Sequence, residues 1–511
     1  MYIPGTVLLW LSLVLGLWST LSYLLSLTNE ERWRPTARQA FALMTFAIVV
    51  ASALLTYLFI SHDYRLSYVW AYSDSELPLY YLISSFWAGQ EGSFLLWVFF
   101  AALLGLPLMR LAGGYESRVM LFYNATVLSL VLLLLKQDPF RFHEGLSQAT
   151  IPLDGKGLNP ALQNPWMVIH PPVMFLGYAL LAIPFAFAMA ALWMRRYDEW
   201  IRASLPWVLL SLATLGAAIM MGGYWAYETL GWGGYWAWDP VENASLVPWL
   251  ATAALTHGML LQRGRNRFRR LNLVLAAAAH LLVVYATFLT RSGVLSDFSV
   301  HSFVDLGISG WLIFNIAFFA ILAVAMLAWR WRDIPTETGD EPFVSRTVLL
   351  VIGILITILI ALTVVLGTSA PLLSRLWGEP SQVGADFYNR MGFWLAVVLA
   401  VVLGATHFLR WRGPRDGAAR AVAATLVLTA VGAGIAFLLG IRQPLAVVYV
   451  VAALFAVSAS GWVVADKLTR GRPWAAGGAL AHLGLGLMLV GFITTGWYDR
   501  EAKVRLYQGQ P

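Results

Sequence analysis

Eight histidines and no cysteine frame the chemistry open to this 511-residue chain. Without thiols, disulfides, thiolate metal sites and cysteine nucleophiles are all excluded within it, and the histidines are few enough to account for one by one. His257, His280, His407 and His482 fall inside long apolar runs, whereas His62, His143, His170 and His301 fall between them. An ionisable side chain inside a bilayer is costly and usually faces a bundle interior, where it marks function.

A second chemical feature is the stretch 231–250, GWGGYWAWDPVENASLVPWL. It places Trp232, Tyr235, Trp236 and Trp238 within seven positions on a glycine-rich backbone and stops at Asp239-Pro240. That is too much aromatic surface for a solvent loop and too many breakers for a bilayer span. Seven aromatics between Tyr224 and Trp238 also exceed what an interfacial belt requires. Flat rings on a glycine-permissive backbone suit a flat, apolar ligand lying at a membrane face, and haem has that shape. Asp239 and Glu242, flanking Pro240-Val241, read first as an N-cap and its capping-box partner, with direct catalysis secondary.

The elements that must position these groups are membrane helices. Hydrophobic residues make up 59% of the chain and charged residues 12%. Apolar runs long enough to cross a hydrocarbon core recur at 5–27, 38–61, 94–112, 119–136, 171–194, 206–226, 243–262, 273–290, 310–331, 348–368, 390–410, 421–440, 445–466 and 476–496. Backbone amides in lipid need internal partners, so the expectation is an all-α polytopic bundle of about fourteen transmembrane helices. With the N-terminus outside, the inner loops hold most of the 34 Lys and Arg residues, as the positive-inside rule requires. The net charge of +7 then anchors helices, and nucleic-acid binding is an unnecessary reading. The outer loops at 61–93, 137–170, 227–242 and 291–309 are the aromatic, polar and glycine-rich ones. Chemistry is therefore expected on the outer face, in the first two-thirds of the chain. We read residues 1–330 as a membrane core with an outer aromatic segment at 227–250, 331–496 as additional helices, and 497–511 as an outer tail.

Depth offers a pairing of the buried histidines. His257 and His482 both lie about 8–9 Å from the inner face at about 1.5 Å per residue. Imidazoles at one depth on different helices can clamp an iron from both sides, as in b-type haem proteins. His280 lies at a similar depth, and a core histidine bonded to a carbonyl is the plainer reading of each, so depth does not choose. Outside, His170 precedes Pro171-Pro172 and is expected to open the fifth helix, kept out of helical conformation by the proline. The helix dipole would disfavour its imidazolium and keep a ring nitrogen for ligation. His301 stands in the loop RSGVLSDFSVHSF, where loop hydrogen bonding is the alternative. His62 and His143 read as ordinary loop residues.

The tryptophan-rich stretch closely resembles the haem-handling family marked by a WGGxWxWDPVEN segment. Within that family the chain is similar to the haem lyase subunits of bacterial system I cytochrome c maturation. Supporting stretches are LPLYYLISSFWAGQEGS at 77–93, NPALQNPWMVIHPP ending at Pro172, TFLTRSGVLSDFSVHSF ending at Phe303, and AHLGLGLML around His482. The resemblance implies His170 and His301 as outer axial ligands of a transient haem. It implies Trp232, Tyr235, Trp236, Trp238 and Asp239 as its platform, and His257 with His482, rather than His280, as ligands of a resident haem b. It further implies the haem chaperone CcmE, apocytochrome c, subunits of the CcmH and CcmI type, and quinol as partners, in a bacterial inner membrane with both termini periplasmic. The activity implied is thioether attachment of haem to CxxCH motifs, the resident haem supplying electrons. The alternatives are a haem presenter without ligase activity and a quinol-linked cytochrome b. Tyr235 and Ala237 stand where some members carry additional aromatics. Members usually continue into a C-terminal outer domain, so 497–511 is expected to be where that domain begins.

Overall fold

A computed structural model of the chain describes residues 3–143, 151–229, 234–299, 302–303, 306–336, 341–415 and 417–498. Seventeen α-helices occur among them. They are α1 (Ile3–Leu25), α2 (Glu30–Ile60), the short α3 (Ser67–Tyr72) and α4 (Leu79–Ser84), α5 (Gln90–Leu111), α6 (Glu116–Lys136), α7 (Pro165–Met194), α8 (Glu199–Glu228) and α9 (Pro240–Arg265). There follow α10 (Arg269–Arg291), α11 (Ser309–Arg330), α12 (Arg346–Thr368), the short α13 (Ala370–Ser374), α14 (Ala385–Thr406), α15 (Ala418–Leu438), α16 (Pro444–Thr469) and α17 (Gly477–Tyr498). Fourteen are long and apolar enough to cross a membrane, the number expected from the apolar runs. No strand forms among the described residues; the β contacts are isolated bridges such as Leu66–Phe142.

Several helices outrun the apolar stretches that announce them. α7 and α8 each have 30 residues, about 45 Å against a hydrocarbon core of roughly 30 Å. Hydropathy marks only the lipid-facing part, whereas the caps lie beyond it: Asn29 accepts from the Arg32 amide and Asn164 from the Trp166 amide. One expectation is corrected here. The fifth membrane helix does not open at Pro171; it begins at Pro165, so His170 is a helical residue in its second turn. The Asn164 cap, with proline at the first helical position, outweighs the usual aversion of a pre-proline residue to helix. Pro171 and Pro172 leave carbonyls without amide partners, and one of these, on Met167, accepts the Trp87 indole N–H at 3.0 Å. Neighbouring groups re-satisfying a proline-broken ladder is how membrane helices tolerate such residues.

The chain forms two compact units, one of residues 1–337 with 364–385, the other of 338–363 with 386–511. In the first, α7 is the central helix, packed by α5, α6, α8, α10 and α11, and every residue from Ala179 to Leu192 is buried. In lipid such packing rests on close van der Waals fit and on hydrogen bonds more than on hydrophobic driving force. One end of this unit carries the arginine-rich turns. There Arg38 makes a bidentate pair with the buried Glu116, and Gln262 reaches the Tyr197 carbonyl at 2.6 Å. The opposite end carries the long loops, which are tied to one another. Lys156 Nζ lies 4.3 Å from the Trp70 ring centre, and Gln137 donates to the Leu306 carbonyl at 3.0 Å. Asp154 accepts from Ser75, Gly155 and Tyr64, and these bonds lower its pKa to about 2. In the second unit α14, α16 and α17 share a core around Leu403, Tyr449 and Leu489, with α15 against α16.

Candidate haem site

His170 stands at the loop-rich end of the first unit, between α7 and α8. Its Nδ1 is 2.8 Å from the Ala218 carbonyl. A carbonyl only accepts, so in the neutral ring Nδ1 carries the proton and Nε2 holds the lone pair. That tautomer, with the second nitrogen tied to a backbone oxygen, is the usual arrangement of a metal-ligating histidine. The backbone of α8 makes room for the ring at Gly222, where a Cβ atom would lie 2.7 Å from His170 Cε1. Trp225 packs on the other side, its ring centre 5.9 Å from the imidazole. Trp225 is held by an indole bond to the Ala161 carbonyl, and Trp166 packs on Tyr224 at 4.9 Å. The imidazole is half-buried in an indole-lined recess.

The aromatic segment enters α9 beside this recess, with the Tyr235 carbonyl near Gly223 of α8. Tyr235, Trp236 and Trp238 are half-buried, and the indoles of Trp236 and Trp238 meet edge-on at 6.0 Å. Trp238 has φ +57°, a left-handed conformation that costs a large side chain of order 1–3 kcal/mol. The surrounding bonds hold it there. Glu242 Oε2 accepts from the backbone amides on either side, Ala237 at 2.9 Å and Asp239 at 3.1 Å. The Trp238 carbonyl accepts from the buried Asn243 amide at 3.0 Å. Asp239 is the N-cap of α9, bonded to the Val241 amide, and the capping box is complete. The carboxylates therefore do initiate the helix, as their spacing implied. Asp239 also accepts from Ser299 Oγ at 2.8 Å, tying the aromatic segment to the loop that leads towards position 301. Trp232 and His301 themselves lie outside the described residues.

The histidines within the bundle differ from one another. His257 Nδ1 is 2.8 Å from the carbonyl of Ala253, one turn earlier on α9, so Nε2 again holds the lone pair. His280 is enclosed: 1% exposed, stacked on Phe185 at 4.6 Å and edge-on to Phe319 at 4.9 Å, with neither ring nitrogen hydrogen-bonded. In the second unit His482 packs against His407 with ring centres 5.7 Å apart, and His407 Nε2 is 3.1 Å from Ser460 Oγ. His407 lies just past the end of α14 at Thr406 rather than within a helix. His62 and His143 are loop residues packed on Tyr64 and Trp70. Sequence reasoning missed Ala218, Gly222, Trp225 and Ser299. Only folding brings them to the site, and no residue pattern near His170 signals them.

Residues 87–295 match the family described as cytochrome C assembly protein. The cytochrome c-type biogenesis protein ccl1 of Rhodobacter capsulatus is 35% identical over 484 residues, covering 90% of this chain and 72% of that protein. CcmF of Pseudomonas aeruginosa and CcmF of Escherichia coli are 33% and 32% identical, each covering 94% of this chain and 75% of the relative. Among solved structures, one titled cytochrome c heme lyase CcmF superposes with a TM-score of 0.77 at 26% identity, covering 97% of this chain and 77% of that one.

Proposed function

Because this chain belongs to the CcmF family of cytochrome c biogenesis proteins, we propose that it is a haem lyase that attaches haem to apocytochrome c. The loop-rich end faces the periplasm of the bacterial inner membrane and the arginine-rich turns face the cytoplasm, with both termini periplasmic, in keeping with the positive-inside rule. The substrate haem, delivered by the chaperone CcmE, rests against Trp232, Tyr235, Trp236 and Trp238, with His170 and His301 on its iron. The observation that carries this reading is the His170 recess: an imidazole whose Nδ1 is fixed on the Ala218 carbonyl, seated against Gly222 beside the aromatic segment.

The covalent step needs little acid–base help from the protein. Each cysteine S–H of a CxxCH segment adds across a vinyl group; sulfur bonds to one carbon, the hydrogen goes to the other, and the C=C bond becomes single. Holding two thiols against two vinyl groups is chiefly an orientation problem, and positioning of this kind supplies a large share of a rate enhancement. Glu242, Asp239 and Ser299 hold the platform in place and the Ala218 carbonyl holds the ligand ring. The resemblance implies His257 as a ligand of a resident haem b, and its Nδ1 contact with the Ala253 carbonyl suits such a role. That group supplies, when bound, electrons that keep the substrate iron reduced, with quinol as the donor class. Subunits of the CcmH and CcmI type present the apocytochrome.

Purified protein mixed with CcmE-bound haem and reduced apocytochrome should yield holocytochrome with no further subunit. His170→Ala should abolish the yield while leaving the absorption of the resident haem in place. Undiminished cytochrome from that variant would refute the role given to His170, and haem transfer without thioether formation would make the chain a presenter instead.

A further inference from the structure

Beyond the iron ligands and the platform, one buried charge in the first unit stands unanswered. Arg291, the last residue of α10, is 6% exposed, and its guanidinium lies 4.8 Å from the Phe94 ring centre, 4.9 Å from Phe303 and 5.5 Å from Phe175. Its Nη1 is buried with no hydrogen-bond partner, and no ion pair joins Arg291 to any carboxylate among the described residues. Cation–π contacts offset part of the cost, yet an unpaired buried guanidinium is the expensive arrangement, and a carboxylate in the fork is its best partner. The Trp97 indole N–H, also buried and without an acceptor, sits against Phe175 in the same cluster. The surrounding phenols, Tyr68 and Tyr72, are raised by burial, Tyr72 to about 12, and cannot serve as anions at neutral pH. Glu91 is the nearby carboxylate that acts on the charge, and its own Oε2 is likewise unpartnered.

The position of this charge is informative. Phe175 follows His170 on α7 by little more than one turn, and Phe303 follows position 301 by two residues, its amide bonded to the Thr290 carbonyl at 3.0 Å. The guanidinium thus sits against Phe175 of α7, the helix that carries His170, and against Phe303. We propose that Arg291 receives a propionate carboxylate of the haem at the outer site, a reading that rests on the function proposed above. A propionate in that fork would fix the rotation of the porphyrin about its iron, and so which vinyl group faces which thiol.

The test uses the full chain in nanodiscs, titrated by absorption difference with ferric protoporphyrin IX and with its dimethyl ester, whose propionates carry no charge. The unsubstituted protein should bind the free acid at least tenfold more tightly than the ester. Arg291→Gln should remove that preference while leaving ester binding unchanged, and Arg291→Lys should keep part of it; helical content and elution volume check that each variant folds. His170→Ala should weaken both porphyrins alike. An unchanged acid-to-ester ratio in Arg291→Gln, with binding still sensitive to His170→Ala, would overturn the role of Arg291 alone and leave Glu91 as its partner through water. Binding indifferent to His170→Ala would overturn the proposed outer site and this inference with it.

Discussion

His170 illustrates how a single backbone atom can set the chemistry of a side chain. The Ala218 carbonyl decides which ring nitrogen carries the proton, and the absence of a side chain at Gly222 decides where the ring can sit. Gly222→Ala places a carbon 2.7 Å from His170 Cε1, so the ring must move. Overpacking of this kind costs about 1–3 kcal/mol, which a bundle this size can survive. A displacement near 1 Å at a reacting centre can cost on the order of 100-fold. On the proposed function, the expected outcome is a folded protein with cytochrome yield reduced at least about tenfold, measured by haem staining of the product. Trp238 shows the same logic on the platform. A left-handed tryptophan is held by one carboxylate bridging the amides before and after it, so Glu242 shapes the aromatic segment.

At the level of elements, α7 unites the features that the site needs. Its first turns carry His170 and three prolines; its largely buried remainder packs against α5, α8 and α10. The price of proline in a helix is an orphaned carbonyl, and Trp87, just before α5, meets it at Met167. Trp87→Phe would leave that oxygen, on a residue only 3% exposed, without its donor. The loss should destabilise the protein by about 1–3 kcal/mol, seen as a lowered midpoint in thermal unfolding of the detergent-solubilised chain. This bond was not legible in the sequence, because 80 residues separate donor and acceptor and nothing in either stretch names the other. The cap at Asn164-Pro165 was legible by rule, but the more conspicuous His-Pro-Pro drew the boundary to the wrong place. The capping box at Asp239 was legible in full, since all its atoms come from one short stretch.

For the molecule as a whole, composition alone demands a membrane bundle, and the chain forms two compact units. The first holds His170, the aromatic segment, His257 and Arg291, while the second holds His407 and His482. Three imidazoles qualify by their depth in the sequence as ligands of the proposed resident haem, and their surroundings give different expectations. His280 is closed off between Phe185 and Phe319 and only 1% exposed. His280→Phe should therefore retain the absorption bands of the resident haem, whereas His257→Ala and His482→Ala should each remove or shift them. The comparison is a single set of spectra on purified variants. Loss of the bands in His280→Phe with retention in His257→Ala would reverse the assignment.

The number of spanning helices, the helix start at Asp239 and the two chemical features, histidine and indole, were determined by residue order alone. Each depends on atoms within a few residues, or on the average polarity of twenty. What only tertiary structure decided is which groups meet. The Ala218 carbonyl and Gly222 reach His170 from another helix, Ser299 reaches Asp239 from another loop, and Arg291 is enclosed by rings from three separate stretches. Such meetings follow from helices packing side by side in a medium without water. There every polar group must find its partner across the bundle, and the chain's local pattern does not encode which neighbour that will be.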